Sequence, residues 1–71
     1  MQKNKLSQFV KSKRKLAKIT QPELALKANV GLRFVRDLEQ GKKTLRMDKV
    51  NDVLLLFGAS LTPVQNLFEN E

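Results

Sequence analysis

Cysteine and histidine are both absent from this 71-residue chain. Without cysteine, neither disulfides nor thiolate metal sites can supplement a core. Without histidine the commonest metal ligand and general base are gone as well. No carboxylate cluster and no phosphate-cradling glycine loop takes their place, so neither catalysis nor a metal or cofactor is expected. Alternating apolar and polar residues never run long enough for a useful strand, which points to an all-α chain. Long hydrophobic runs are missing too: the longest, Val53–Phe57, falls far short of the roughly 20 residues a membrane-spanning helix needs. With no signal peptide in view, the chain is expected to be cytoplasmic and to have no membrane partner. There are no internal repeats and no low-complexity segments. A chain of this size buries only about 60% of the surface it exposes when unfolded, so it holds one small domain with a marginal core.

Basic charge is what the sequence has in quantity, and it is segregated. Residues 1–46 hold thirteen Lys or Arg against Glu23, Asp37 and Glu39, a net +10. Residues 47–71 hold Lys49 against Asp48, Asp52, Glu69 and Glu71, a net −3. Solubility alone does not require such segregation. A polyanionic partner does explain it, because DNA releases counterions when basic side chains neutralise its phosphates.

Within the basic half, Thr20 to Gly41 carries a helix start, a turn, a second helix and a stop. Thr20 and Glu23 form the Thr-x-x-Glu pattern of a capping box, so a helix starts near Gln21. Leu24, Ala25 and Ala28 share one face of it, with Ala25 small where a second helix would cross closely. Asn29 breaks the pattern and tolerates the left-handed conformation a short interhelical turn requires. Val30 is placed to plug that turn. Gly31 caps the next helix, Val35 and Leu38 turn inward, and Gly41 stands just past its end. Leu32, Arg33, Arg36 and Asp37 are then left facing outward. This is the pattern of a helix-turn-helix DNA reader.

The remaining elements complete a five-helix reading. Residues 1–5, with Lys3 and Lys5, read as a flexible basic arm, and residues 6–69 as the domain. A first helix, roughly Ser7 to Leu16, has an apolar stripe of Leu6, Phe9, Val10 and Leu16. A basic loop from Lys42 to Arg46 follows the helix pair. The fourth helix runs from about Met47 to Phe57, with Val50, Val53, Leu54 and Phe57 inward and Gly58 as its stop. Thr62, Pro63 and Gln65 signal the start of a short fifth helix with Val64, Leu67 and Phe68 on its apolar face.

Two motifs, Lys13-Arg14 followed by Thr20-Gln21-x-Glu23-Leu24-Ala25, and Val30 through Leu38-Glu39-Gln40-Gly41-Lys42, give the chain its family look. From about Phe9 to Phe68 it resembles the Xre/lambda-repressor type of helix-turn-helix protein. Within that superfamily, Leu32 to Lys42 and Leu45-Arg46-Met47-Asp48-Lys49-Val50 look like the HipB-type antitoxins. The resemblance implies a compact five-helix lambda-repressor-like domain that binds an inverted-repeat operator as a homodimer, represses its own operon, and pairs with a HipA-family kinase toxin. It also implies a partly buried salt bridge between Arg14 and Glu39, and a phosphate-clamping or helix-bracing role for Gln21. Asn29 stands where the family usually has Gly. Gly31 replaces the usual Ser or Thr cap of the reading helix, at a cost of a few tenths of a kcal/mol.

Candidate DNA contacts follow from position. Leu32, Arg33, Arg36 and Asp37 are the base-contacting candidates. Arg33 can meet guanine O6 and N7 bidentately, or contact a phosphate instead. Leu32 suits a thymine methyl or the sugar-phosphate wall. Arg33 and Asp37, four residues apart, can also pair with each other and so orient the arginine. Thr20, Gln21, Gly31, Lys42, Lys43 and Thr44 are the backbone-contacting candidates, since a helix N-terminus and a following basic loop favour phosphate. Leu54-Leu55-Leu56 puts apolar residues on more than one face of the fourth helix. A dimer interface of Leu55, Leu56, Val64, Leu67 and Phe68 would cover the surplus. Other readings are a stand-alone phage-type or operon repressor, and a protein-interaction module without specific DNA binding.

Overall fold

A computed structural model of the chain describes residues 4–64. Four helices are found among them and no strand: α1 (Lys5–Leu16), α2 (Gln21–Ala28), α3 (Leu32–Gln40) and α4 (Met47–Leu55). Helix α3 packs against both α1 and α2, and α2 also meets α4. The element that carries Arg33 and Arg36 is thus held by two other helices.

Each end of these helices has a local cause. Asn4 caps α1: its side-chain oxygen accepts from the Ser7 N–H at 2.8 Å, while Ser7 Oγ accepts from the Asn4 N–H at 2.9 Å and donates to the Asn4 carbonyl at 2.9 Å. Lys5 is therefore helical, and the arm expected over residues 1–5 gives way to a helix two residues earlier than the apolar stripe suggests. Thr20 and Glu23 form the reciprocal capping box of α2 at 3.2 and 2.7 Å. Asn29 ends α2 in the left-handed region, φ 58° and ψ 46°. Gly41 closes α3 at φ 86°, where a side chain would be strained, and the Lys42 N–H reaches back to the Asp37 carbonyl at 3.0 Å.

The core consists of Val10 from α1, Leu24, Ala25 and Ala28 from α2, Val35 and Leu38 from α3, and Val50, Val53 and Leu54 from α4. Val30, Leu45 and Phe57 are half-buried against it and pin the turn, the basic loop and the end of α4. Leu16 departs from the expected stripe and is exposed. Six residues after Val10, it lies about a third of a turn round the helix from it, and it is the last residue of α1.

The five-helix expectation is corrected to four among the described residues. Helix α4 stops at Leu55, and Leu56–Gly58 turn with Gly58 left-handed at φ 70°. The Leu61 N–H donates to Asn51 Oδ1 at 2.7 Å, which ties the following segment to α4. Residues 61–64, Thr62 and Pro63 among them, are not helical. One or two helical turns without a packing partner are unfavourable in water. The rest of the expected fifth helix, with Gln65, Leu67 and Phe68, lies outside the described residues, as does Lys3.

Candidate nucleic-acid interface

A helix can read DNA only if its outward face is polar and its inward face fixes its orientation. On α3 the two are cleanly separated. At 100° per residue, Arg33, Arg36, Asp37 and Gln40 fall within one quarter to one third of the helix circumference, and Val35, Leu38 and Glu39 fall on the opposite side and are buried. Arg33 is 88% exposed, and Arg36 is exposed too. Gln40 is an exposed member of this face that sequence reasoning passed over. Its signal was the spacing of four from Arg36 and seven from Arg33.

Leu32 does not join that face. It is half-buried and packed against the core, so its expected outward position is corrected. As the first residue of α3 it sits on the border between the two faces, and its apolar side chain takes the buried side. Asp37 is only 19% exposed and lies between two cations: Arg33 Nε at 3.5 Å from Oδ1, and Lys42 Nζ at 3.6 Å from Oδ2.

The inward face of α3 ends in a polar brace. Glu39 is 3% exposed, yet its carboxylate receives three hydrogen bonds: Arg14 Nε at 2.7 Å, Arg14 Nη2 at 3.1 Å and Gln21 Nε2 at 3.1 Å. A further Arg14 nitrogen, Nη1, donates to the Ile19 carbonyl at 2.9 Å. The carboxylate thus joins α1, the first residue of α2 and the far end of α3, and Arg14 extends the link to the α1–α2 connection. The hydrogen bond to Glu39 raises the Arg14 pKa above its ordinary value, against the opposing effect of burial. Gln21 is half-buried and its amide nitrogen is committed to this brace. Among the described residues, no buried side-chain nitrogen or oxygen lacks a partner.

Thr20, Gly31, Lys42, Lys43 and Thr44 are all exposed. Gly31, the N-cap of α3, makes no side-chain cap, so the dipole and N–H groups at the start of α3 favour an anion. At α2 the Thr20 and Glu23 N–H groups are taken by the capping box and Pro22 has none. Lys42, Lys43 and Thr44 follow α3 directly. The Glu23 carboxylate, accepting from the Thr20 N–H, is held below the usual glutamate range. In and after α4, Leu55, Leu56 and Val64 are exposed, as are Met47 and Leu61. Leu67 and Phe68, expected beside them, lie outside the described residues.

The helix-turn-helix family matches residues 10–64, which includes all of α2, α3 and α4. An uncharacterized HTH-type transcriptional regulator, y4mF, of Sinorhizobium fredii is 47% identical over 53 residues, 75% of this chain and 70% of the relative.

Proposed function

The chain belongs to the helix-turn-helix family, and from that premise we propose that it is a sequence-specific DNA-binding transcriptional repressor that acts as a homodimer on an inverted-repeat operator. The observation that carries this reading is the construction of α3, with two exposed arginines outward and a buried carboxylate inward that fixes the helix against α1 and α2. Arg33 and Arg36 are the base-reading residues. Thr20, Gly31, Lys42, Lys43 and Thr44 hold phosphates, with Gln21 bracing the reading helix. A dimer formed through Leu55, Leu56 and Val64, together with Leu67 and Phe68, sets two reading helices about one helical turn of DNA apart.

The finer role is that of an autoregulating antitoxin whose partner is a HipA-family kinase. Support comes from the likeness of Leu32 to Lys42, and of Leu45 to Val50, to the HipB-type antitoxins. A HipA-family kinase encoded beside this chain should then co-purify with it at fixed stoichiometry, and the complex should bind the promoter of the pair.

The test of DNA binding is selection from random duplexes, followed by titration at several salt concentrations. Four to six phosphate contacts per dimer give a log–log slope of about −4 to −5 on the selected duplex. Enrichment of no sequence, with equal affinity for every duplex, would remove the operator-specific part of the proposal. Absence of binding at low salt would remove all of it.

A further inference from the structure

The carboxylate of Asp37 stands on a face meant to meet a polyanion, where an unmatched negative charge opposes binding. It is not unmatched. Arg33, four residues earlier on α3, lies 3.5 Å from one oxygen, and Lys42, in the loop beyond the helix, lies 3.6 Å from the other. Asp37 also holds Lys42 through the main chain, because the Lys42 N–H donates to the Asp37 carbonyl at 3.0 Å. Arg36, its neighbour on the same face, has no ion-pair partner among the described residues.

We propose that Asp37 is a positioning residue that couples base reading by Arg33 to backbone clamping by Lys42, and that it sets specificity by making binding without a matched base unfavourable. The inference rests on the DNA-binding reading above. Its geometry lies in which atom of Arg33 is engaged. Asp37 is paired with Nε, which leaves the two terminal nitrogens for the paired hydrogen bonds that guanine O6 and N7 accept. Over guanine, the arginine is satisfied at both ends and the carboxylate stays neutralised. Over any other base the terminal nitrogens find no such pair. Reaching instead for a phosphate pulls the guanidinium away from Asp37 and leaves the carboxylate facing the acceptor atoms of the groove. Lys42 extends the same logic to the backbone: its ammonium is held beside the helix end and not released to whichever phosphate is near.

Asp37→Asn keeps the size of the side chain and removes its charge, and its thermal midpoint checks that the fold is retained. The probes are the duplex selected by the wild-type protein and a random-sequence duplex of equal length. With asparagine, affinity for the random duplex should rise, its salt slope should steepen by about one per subunit as Lys42 joins the phosphates, and preference for the selected duplex should fall about tenfold. Asp37→Glu, which retains a carboxylate within reach of both cations, should keep most of the preference. On an Arg33→Ala background, Asp37→Asn should cause no further loss of discrimination at the guanine. Equal gains on both duplexes would show a bulk charge effect and overturn the proposal. A changed preference at a base pair other than the one Arg33 reads would make Asp37 a direct base contact, which also overturns it. Failure of the wild-type protein to bind either duplex would instead overturn the DNA-binding reading and this inference together.

Discussion

Two ion pairs in this protein have the same 2.7 Å separation and differ in burial, which makes them a test of what such a pair contributes. Arg14 and Glu39 are 12% and 3% exposed; Arg46 and Asp48 are 69% and 63% exposed. Glu39→Ala removes the acceptor of three hydrogen bonds and leaves the Arg14 guanidinium largely out of water with only the Ile19 carbonyl as partner. Breaking a buried pair by deleting one member costs about 3–5 kcal/mol. A domain of 71 residues has roughly 4–11 kcal/mol of stability in all, at about 0.05–0.15 kcal/mol per residue. The substitution should therefore take from about a quarter of the stability to all of it, and lower the thermal midpoint by well over 10 °C. Glu39→Gln retains one acceptor and should lose less. Arg46→Ala, by contrast, should leave the midpoint unmoved, because water already solvates both partners. Urea unfolding followed by circular dichroism measures all three. A loss below about 1 kcal/mol for Glu39→Ala would mean that Arg14 finds water on release, and would refute the brace as a determinant of α3 orientation.

Arg33→Ala should lose about 1–3 kcal/mol per contact and relax selection at one base pair of each half-site; identical sites selected by mutant and wild type would pass the reading role to Arg36. Leu56→Glu should turn the proposed dimer into a monomer in sedimentation and weaken operator binding, and unchanged mass and affinity would remove Leu56 from the interface. Lys18 ends α1 in the left-handed region at φ 59°, so Lys18→Gly should raise stability by about 1 kcal/mol, read from the urea midpoint. Glu23 has its pKa lowered in the folded state, chiefly by the Thr20 N–H, so its contribution is present in full above the ordinary glutamate range and is lost as pH falls through the depressed value. The stability difference between wild type and Glu23→Gln should shrink over that acidic window, with the Glu23 carboxyl titration followed directly by NMR.

How far the sequence carried this description depended on how local each signal was. The capping box of α2, the Asn29 turn and the Gly41 stop are set by residues three to five apart, and the structure has all three where the spacing puts them. The start of α1 was equally local, but its box pairs Asn4 with Ser7 in place of the commoner Glu or Gln, so the lysines around it read as an arm. Leu32 was misplaced for a different reason. It lies at the border of the two faces of α3, and whether such a side chain turns in or out is decided by what α1 and α2 leave uncovered. The segment after Gly58 carries a sound helix-start pattern, yet the Leu61 N–H is held by Asn51, ten positions away, a contact no local pattern encodes.

The arrangement of charge also explains how so small a core can hold α3 in one orientation. Among the described residues, nine buried apolar side chains form the core that fixes α3 in depth, but apolar burial is nondirectional and specifies its far end weakly. The hydrogen bonds at Glu39 are directional. They tie the last turn of α3 to the first turn of α2, the two elements whose relative placement decides whether the proposed base and phosphate contacts can meet one duplex together. A reader that arrives already in this geometry has less freedom to lose on binding. Burying one carboxylate is a sizeable cost for a domain of this size, and it is placed where rigidity has the largest effect on recognition.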